Sequence, residues 1–259
     1  YKEMSIGPAK PSSSELSEVK HFFVDEFPMT SHITAADFET LALQYLNQIL
    51  QLSSAAVVCG GTGLYIKALT DGLDNMPPIK EGIAAEVNNT YRENGLDWLQ
   101  QAVQQEDPQF YAQAEVNNPA RLLRALVFVR STGTSITHFR SGQQKDRPYH
   151  FVRVALELPR QELYKRIDQR VDQMMEQGLL EEVKELYPLR TLKNLQTVGY
   201  SELFGYLDGS YNLETAVSKI KQHTRNYAKR QLTWFRKDLQ MTWLQADQDN
   251  LIGKILSLK

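Results

Sequence analysis

Hydrophobic positions along this 259-residue chain recur mostly at three-four spacing, interrupted by short unbroken apolar runs. Phe38, Leu41, Tyr45, Leu46 and Ile49 share one face, and Thr34 can cap them, which predicts a helix from Ala35 to about Leu52. After Pro159, the stripe Leu163, Ile167, Val171, Met174 and Met175 predicts a core-facing helix that Gly178 stops. Leu180, Val183 and Leu186 carry a further helix up to Pro188, and the last long helix runs from about Leu213 to Leu239. Ala55-Ala56-Val57-Val58-Cys59, ended by Gly60-Gly61, predicts a buried strand with a tight turn. Phe151 to Leu158, bounded by Pro159, predicts a second strand, and a short Met241-to-Leu244 segment follows the last helix. Between the two strands, Pro77 to Arg147 is almost purely helical, with Trp98, Leu99, Val103, Leu122, Leu126 and Val129 supplying apolar faces. This order predicts an α/β core with a helical insertion, and no internal repeat is present.

Composition narrows the class. A hydrophobic fraction of 42% and a charged fraction of 23% are those of an ordinary globular protein. The net charge of −2 excludes a globally basic nucleic-acid binder but leaves local patches open. A single cysteine, Cys59, excludes an intramolecular disulfide and a multi-cysteine zinc site, and suits a reducing cytosol. No apolar run approaches the ~20 residues of a membrane span. No charged-then-apolar leader opens the sequence, so a cytoplasmic protein is expected.

The near-zero net charge hides an asymmetry. Glu81 to Glu115 holds seven acids and one base, Asn117 to Arg147 six bases and one acid, and Ala216 to Lys237 seven bases and no acid. In the last stretch Lys221, Arg225 and Lys229 repeat at four-residue spacing, beside a stripe of Val217, Ile220, Thr224, Tyr227, Gln231 and Trp234. Aligned like charges repel unless an anion joins them, and a diphosphate suits Arg and Lys. The alternative is a solvated basic face; the absence of acids favours the anion. Gly60-Gly61-Thr62-Gly63 is either a turn where backbone approaches a ligand, with Thr62 presenting a hydroxyl, or a strand-to-helix turn that needs small residues. Arg121 and Arg124 share a helix face, for phosphate contacts or for structural ion pairs with the acidic helices. His21, His32, His138, His150 and His223 lack metal-ligand spacing, so no metal-ligating residue is assigned.

Six motifs in order carry a resemblance along essentially the whole chain. They are Tyr1-Lys2-Glu3-Met4-Ser5-Ile6-Gly7 with Ala9-Lys10-Pro11, Thr34-Ala35-Ala36-Asp37-Phe38, and Gly60-Gly61-Thr62-Gly63-Leu64-Tyr65. Asn117-Asn118-Pro119 with Arg121 and Arg124-Ala125-Leu126, Val198-Gly199-Tyr200, and Thr224-Arg225 with Ala228-Lys229-Arg230-Gln231 complete the set. The chain resembles the bacterial tRNA dimethylallyltransferases (tRNA isopentenyltransferases). That resemblance implies a P-loop kinase-like, nucleotide-binding α/β core with a parallel sheet flanked by helices, over 1–77 and 147–259, and a helical tRNA-binding insertion over 78–146. It implies transfer of a dimethylallyl group from dimethylallyl diphosphate to the N6 amine of the adenine beside the anticodon, a base that must leave the stack. Mg²⁺ is the implied cofactor, the tRNA anticodon stem-loop the partner, and a monomer the expected state. Thr62 and Arg225 match catalytic positions, and Arg225, Lys229 and Arg230 match diphosphate-binding ones. Thr62, Ala120, Arg121, Leu122, Leu123, Arg124, Gln196, Gly199 and Tyr200 match the tRNA contacts.

The departures are specific. Family members open with a GxxxxGK[ST]-type phosphate loop and a general-base aspartate just upstream of the tyrosine matched by Tyr1; this sequence begins after both, and no replacement loop appears elsewhere. Pro8 stands where the family usually has threonine, removing a hydroxyl and a backbone N–H, and Ala84 replaces a commonly basic residue. The expectation is a prenyltransferase whose first segment is missing here. The alternatives are a non-catalytic tRNA-binding fragment, or an adenine-nucleotide prenyltransferase or nucleotide kinase.

Overall fold

The structure, a computed structural model, describes residues 1–258. Helices α1 (Ser13–Glu18), α2 (Ala35–Leu50) and α3 (Gly63–Thr70) are followed by α4 (Ile83–Glu106), α5 (Pro108–Tyr111) and α6 (Pro119–Thr132). Strand β1 (Val154–Glu157), α7 (Arg160–Glu176), α8 (Leu179–Leu186), α9 (Tyr200–Leu207), α10 (Leu213–Phe235), β2 (Thr242–Gln245) and α11 (Leu251–Leu256) complete the order. Two compact units result: Tyr1–Thr70 with the residues from Pro148 onward, and Asp71–Arg147.

The first unit is mixed α/β, mostly helical, with a small parallel sheet. β1 pairs with β2 from Val154 opposite Thr242 to Glu157 opposite Gln245. The strand expected over Ala55–Cys59 is absent: the segment has no regular secondary structure, pairs with nothing among the described residues, and Val57 and Val58 are exposed. A strand needs a ladder partner for its N–H and C=O groups, and the two strands present pair only with each other. The main core lies under α7 to α10, where Val171, Leu179, Val183, Leu203, Ala216 and Ile220 are buried together with Met4 and Met29.

Helix ends follow local chemistry. Thr34 accepts from Asp37 N–H, and the Asp37 carboxylate accepts from Thr34 N–H at 2.9 Å, a capping box that opens α2. Phe38 on that helix stacks on Tyr65 of α3, ring centroids 4.6 Å apart. Gly178, at φ 97°, separates α7 from α8. Helix α10 ends at Phe235, short of Leu239, because Asp238 turns the chain into β2. Its carboxylate accepts from Gln240 N–H at 2.9 Å and from Arg153 at 2.8 Å.

A carboxylate holds the first residues onto this core. Glu182 on α8 accepts the backbone N–H groups of Ser5, Ile6 and Gly7 at 2.8, 2.9 and 3.2 Å, and the Tyr200 hydroxyl at 2.5 Å. A Cβ on Gly7 would lie 2.3 Å from the Tyr200 ring, so only glycine lets the loop approach. Burial pushes the Glu182 carboxyl up, but the Tyr200 and backbone hydrogen bonds outweigh it and hold its pKa below the ordinary 4.5.

In the second unit, α4 packs on α6 through Val87, Leu99, Val103, Leu122 and Leu126, all fully buried. Gly95, at φ 76° and ψ −167°, breaks the helical path of α4. Asn118 caps α6 with Pro119 in its first turn, and Gly133, at φ 73°, closes it. Arg130 clamps Glu106 through two N–H groups at 2.7 and 2.9 Å.

Stability from the Glu182 staple is present above pH 4.5 and is lost as pH falls through its lower folded pKa. Glu182→Gln is expected to lower the melting midpoint at neutral pH and to flatten its decline in acid, read by circular dichroism across a pH series. An acid limb identical to the wild type would refute the staple.

Candidate functional site

The loop after Ala55–Cys59 lies directly on α10. A Cβ on Gly61 would fall 1.9 Å from Gln231 Nε2, and one on Gly63 2.1 Å from the Trp234 ring. Gln231 Nε2 donates to the Gly61 carbonyl at 2.9 Å. These two glycines therefore admit a helix, so the compact turn accounts for Gly61 and Gly63 but not for Gly60, where a Cβ would meet nothing within 4 Å. Thr62 remains exposed: its carbonyl accepts from Tyr65 and Ile66 N–H, and its hydroxyl has no partner among the described residues.

The basic stripe of α10 is read differently once α7 is beside it. Arg225 donates to both carboxylate oxygens of Asp168 at 2.7 and 2.8 Å, and Lys221 pairs with Asp172 at 2.7 Å. The anion expected among the aligned cations is thus supplied, for two of the three, by α7. Lys229, one turn further, has no carboxylate partner among the described residues and lies beside the Tyr164 phenol. Arg230 is exposed and sits over the Tyr227 ring, 5.7 Å from its centroid. The apolar stripe divides at the same place: Ile220 is buried, whereas Tyr227 and Trp234 are 40% and 45% exposed. Asp168, Asp172 and Tyr164 escaped the sequence reading. The available signal was the four-residue spacing of the two aspartates, a mirror of Lys221 and Arg225.

The residues matched to tRNA contacts separate by burial. On α6, Ala120, Arg121 and Arg124 are exposed and Leu123 is half-buried. Leu122 is 0% exposed in the core beneath them, so its side chain cannot touch a partner. Arg121 pairs with Glu115 at 2.7 Å in an open setting where such a pair contributes about 1 kcal/mol or less. Arg124 has no acidic partner among the described residues. In the first unit, Gln196 is exposed and donates to the Arg190 carbonyl at 2.5 Å. Tyr200, 1% exposed and bonded to Glu182, is a core residue instead of a contact. Gly199 is buried too, at φ 100°, with its N–H donated to Glu202 at 2.7 Å. The same Glu202 binds His223 Nδ1 at 2.5 Å, linking this turn to α10.

The Mg²⁺ that the resemblance implies is held chiefly by substrate phosphates with one or two protein ligands, so it calls for no cage of protein carboxylates. Among the described residues no group of three or more His, Cys, Asp or Glu side chains could hold a metal ion, and the acids nearest Arg225 and Lys221 are spent on ion pairs. No helix among the described residues is long and apolar enough to cross a membrane.

A small parallel sheet, a loop presenting an exposed threonine and a basic helix beside it make up a mixed α/β unit, with the helical unit Asp71–Arg147 between its two segments in sequence. The sequence model of the IPP transferase family matches residues 1–238. A tRNA dimethylallyltransferase of Christiangramia forsetii is 42% identical over 250 residues, covering 96% of this chain and 83% of the relative. One from Cytophaga hutchinsonii is 38% identical over 259 residues, 100% of this chain and 85% of the relative. The crystal structure of the tRNA isopentenylpyrophosphate transferase of Bacillus halodurans superposes with a TM-score of 0.68 at 34% identity, covering 100% of this chain and 82% of that one. The chain belongs to the IPP transferase family.

Gly63→Ala is expected to displace Trp234 and shift its fluorescence, while Gly60→Ala, with open space at that position, leaves the spectrum as in the wild type. Leu122→Ala is expected to cost about 2–5 kcal/mol in denaturant unfolding, the range for a buried leucine. A cost below ~1 kcal/mol would show that Leu122 is not core.

Proposed function

We propose that this chain transfers a dimethylallyl group from dimethylallyl diphosphate to the N6 amine of the adenine beside the anticodon in tRNA, in the cytoplasm. The observation that carries this reading is the seating of the Thr62 loop on α10 through Gln231, next in sequence to the exposed cations Lys229 and Arg230. In the reaction the allylic C–O bond breaks and its electron pair leaves with the diphosphate. The N6 lone pair forms the new C–N bond, and N6 gives up one proton. Charge builds on the departing diphosphate, so cations held beside it act where they are worth most. Lys229 and Arg230 serve that charge, and Arg225 adds to it from a position fixed by Asp168. The Thr62 hydroxyl orients the acceptor amine by accepting one of its N–H bonds. The exposed face of Ala120, Arg121, Leu123 and Arg124 contacts the phosphate backbone of the anticodon arm, with Gln196 as a further contact. Family membership and relatives that are tRNA dimethylallyltransferases over nearly this whole length support the assignment.

Incubation of the protein with labelled dimethylallyl diphosphate and an anticodon stem-loop tests it. Label is expected on the stem-loop carrying the acceptor adenine and not on one with guanine there. AMP as the better acceptor would favour the small-molecule alternative, and stem-loop binding without transfer the non-catalytic one. Arg121→Ala is expected to weaken stem-loop binding and lower the log–log salt slope by about one, leaving the KM for the prenyl donor unchanged. Arg225→Ala is expected to raise the donor KM and leave stem-loop affinity as in the wild type.

A further inference from the structure

Tyr164, on the second turn of α7, is placed unlike any other tyrosine in the molecule. Arg160 Nε–H donates to its hydroxyl oxygen at 3.0 Å, with the guanidinium 5.2 Å from the ring centroid. Lys229 comes from α10, its Nζ 5.9 Å from the same ring centroid, and the Arg225 guanidinium lies 5.8 Å away. Asp168 neutralises Arg225. Neither Arg160 nor Lys229 has a carboxylate partner among the described residues, and the nearby acids are engaged elsewhere: Glu162 with Arg166, and Glu157 with Arg236 and Gln245. The phenol oxygen thus accepts from Arg160 with the Lys229 ammonium close to the same ring, while the phenol hydrogen has no acceptor among the described residues. Two positive charges without carboxylate partners, on the exposed Arg160 and Lys229, and the O–H of the half-buried Tyr164 come together just after the carboxyl end of β1, the side on which open α/β sheets bind ligands.

We propose that Arg160, Tyr164 and Lys229 form a phosphoryl-binding site in which the Tyr164 hydroxyl donates to a phosphoryl oxygen held between the two cations. A doubly charged oxyanion cancels the excess charge, and its several oxygens take up donors from two helices at once. The low pKa of this phenol agrees: burial raises it, but the hydrogen bonds and charges of Arg160 and Lys229 prevail and bring it below the ordinary tyrosine value. A more acidic O–H is the stronger donor to an anion. The ligand is either the diphosphate of the prenyl donor or a phosphate of the tRNA backbone, and the site rests on the function proposed above.

Two variants decide it: Tyr164→Phe, which keeps the ring and removes only the donor, and Arg160→Gln, an exposed substitution that keeps a polar side chain. Inorganic diphosphate binding is measured by calorimetry, and anticodon stem-loop binding across a salt series. Both variants are expected to weaken the same ligand by about tenfold or more, as loss of a hydrogen bond to a charged group does. Loss on the diphosphate arm assigns the prenyl donor. Loss on the stem-loop arm, with the Arg160→Gln salt slope reduced by about one, assigns the backbone. Variants that melt like the wild type and bind both ligands as tightly overturn the site while leaving the function standing, provided the wild type transfers the prenyl group. A wild type that binds neither ligand and transfers nothing overturns the functional reading, and the site with it.

Discussion

Helix α10 must be core over its first half and surface over its second, and the crossover falls at the Asp168–Arg225 pair. Ala216 and Ile220 are buried against the α7–α9 core, whereas Tyr227, Lys229, Arg230 and Trp234 reach solvent. Two ion pairs between α10 and α7, spaced four residues apart on each helix, set the register of α7 on α10 at that crossover. Partly exposed pairs of this kind contribute about 1 kcal/mol or less, so their value lies in register and not in stability. Fixing Arg225 to Asp168 leaves Lys229 one turn beyond the seam without a carboxylate, facing Tyr164 and Arg160. The unbalanced charge at the exposed end of the helix is a direct result of where its balanced charge is spent.

Glycine is used in this protein mainly to let backbone meet side chain. Gly7 passes the Tyr200 ring, Gly61 meets the Gln231 amide, and Gly63 meets the Trp234 indole, each at a distance that no Cβ could share. Two of these contacts seat the Thr62 loop on α10, and the third seats Ser5–Gly7 on Glu182. The loops that carry candidate chemistry are consequently held by packed helices. That is the arrangement expected where a hydroxyl must keep its position relative to a charged neighbour.

The helical unit divides labour by face. Leu122, Leu126 and Val103 build its core, while Ala120, Arg121 and Arg124 on the opposite side of α6 remain at the surface. Arg130, on the same helix, is spent on Glu106 and Glu86. Of the two arginines read as phosphate contacts or ion-pair partners, Arg121 pairs with Glu115, whereas Arg124 has no acidic partner among the described residues.

Much of the architecture was legible from order and period alone. The Thr34 cap, the stripe from Leu163 to Met175, the stop at Gly178 and the helical run after Pro77 are local features. They depend on hydrogen bonds and apolar spacing within a few residues, and they appear where the chain places them. The motifs likewise determined the family without reference to any fold. Tertiary structure decided the rest, because burial and charge pairing depend on neighbours distant in sequence. Ala55–Cys59 has the composition of a buried strand, yet it lacks a ladder partner. Leu122 and Tyr200 stand in motifs matched to tRNA contacts, yet their side chains are core. Lys221, Arg225 and Lys229 look equivalent at four-residue spacing, and only the presence of Asp168 and Asp172 on α7 separates the two that are neutralised from the one that is not.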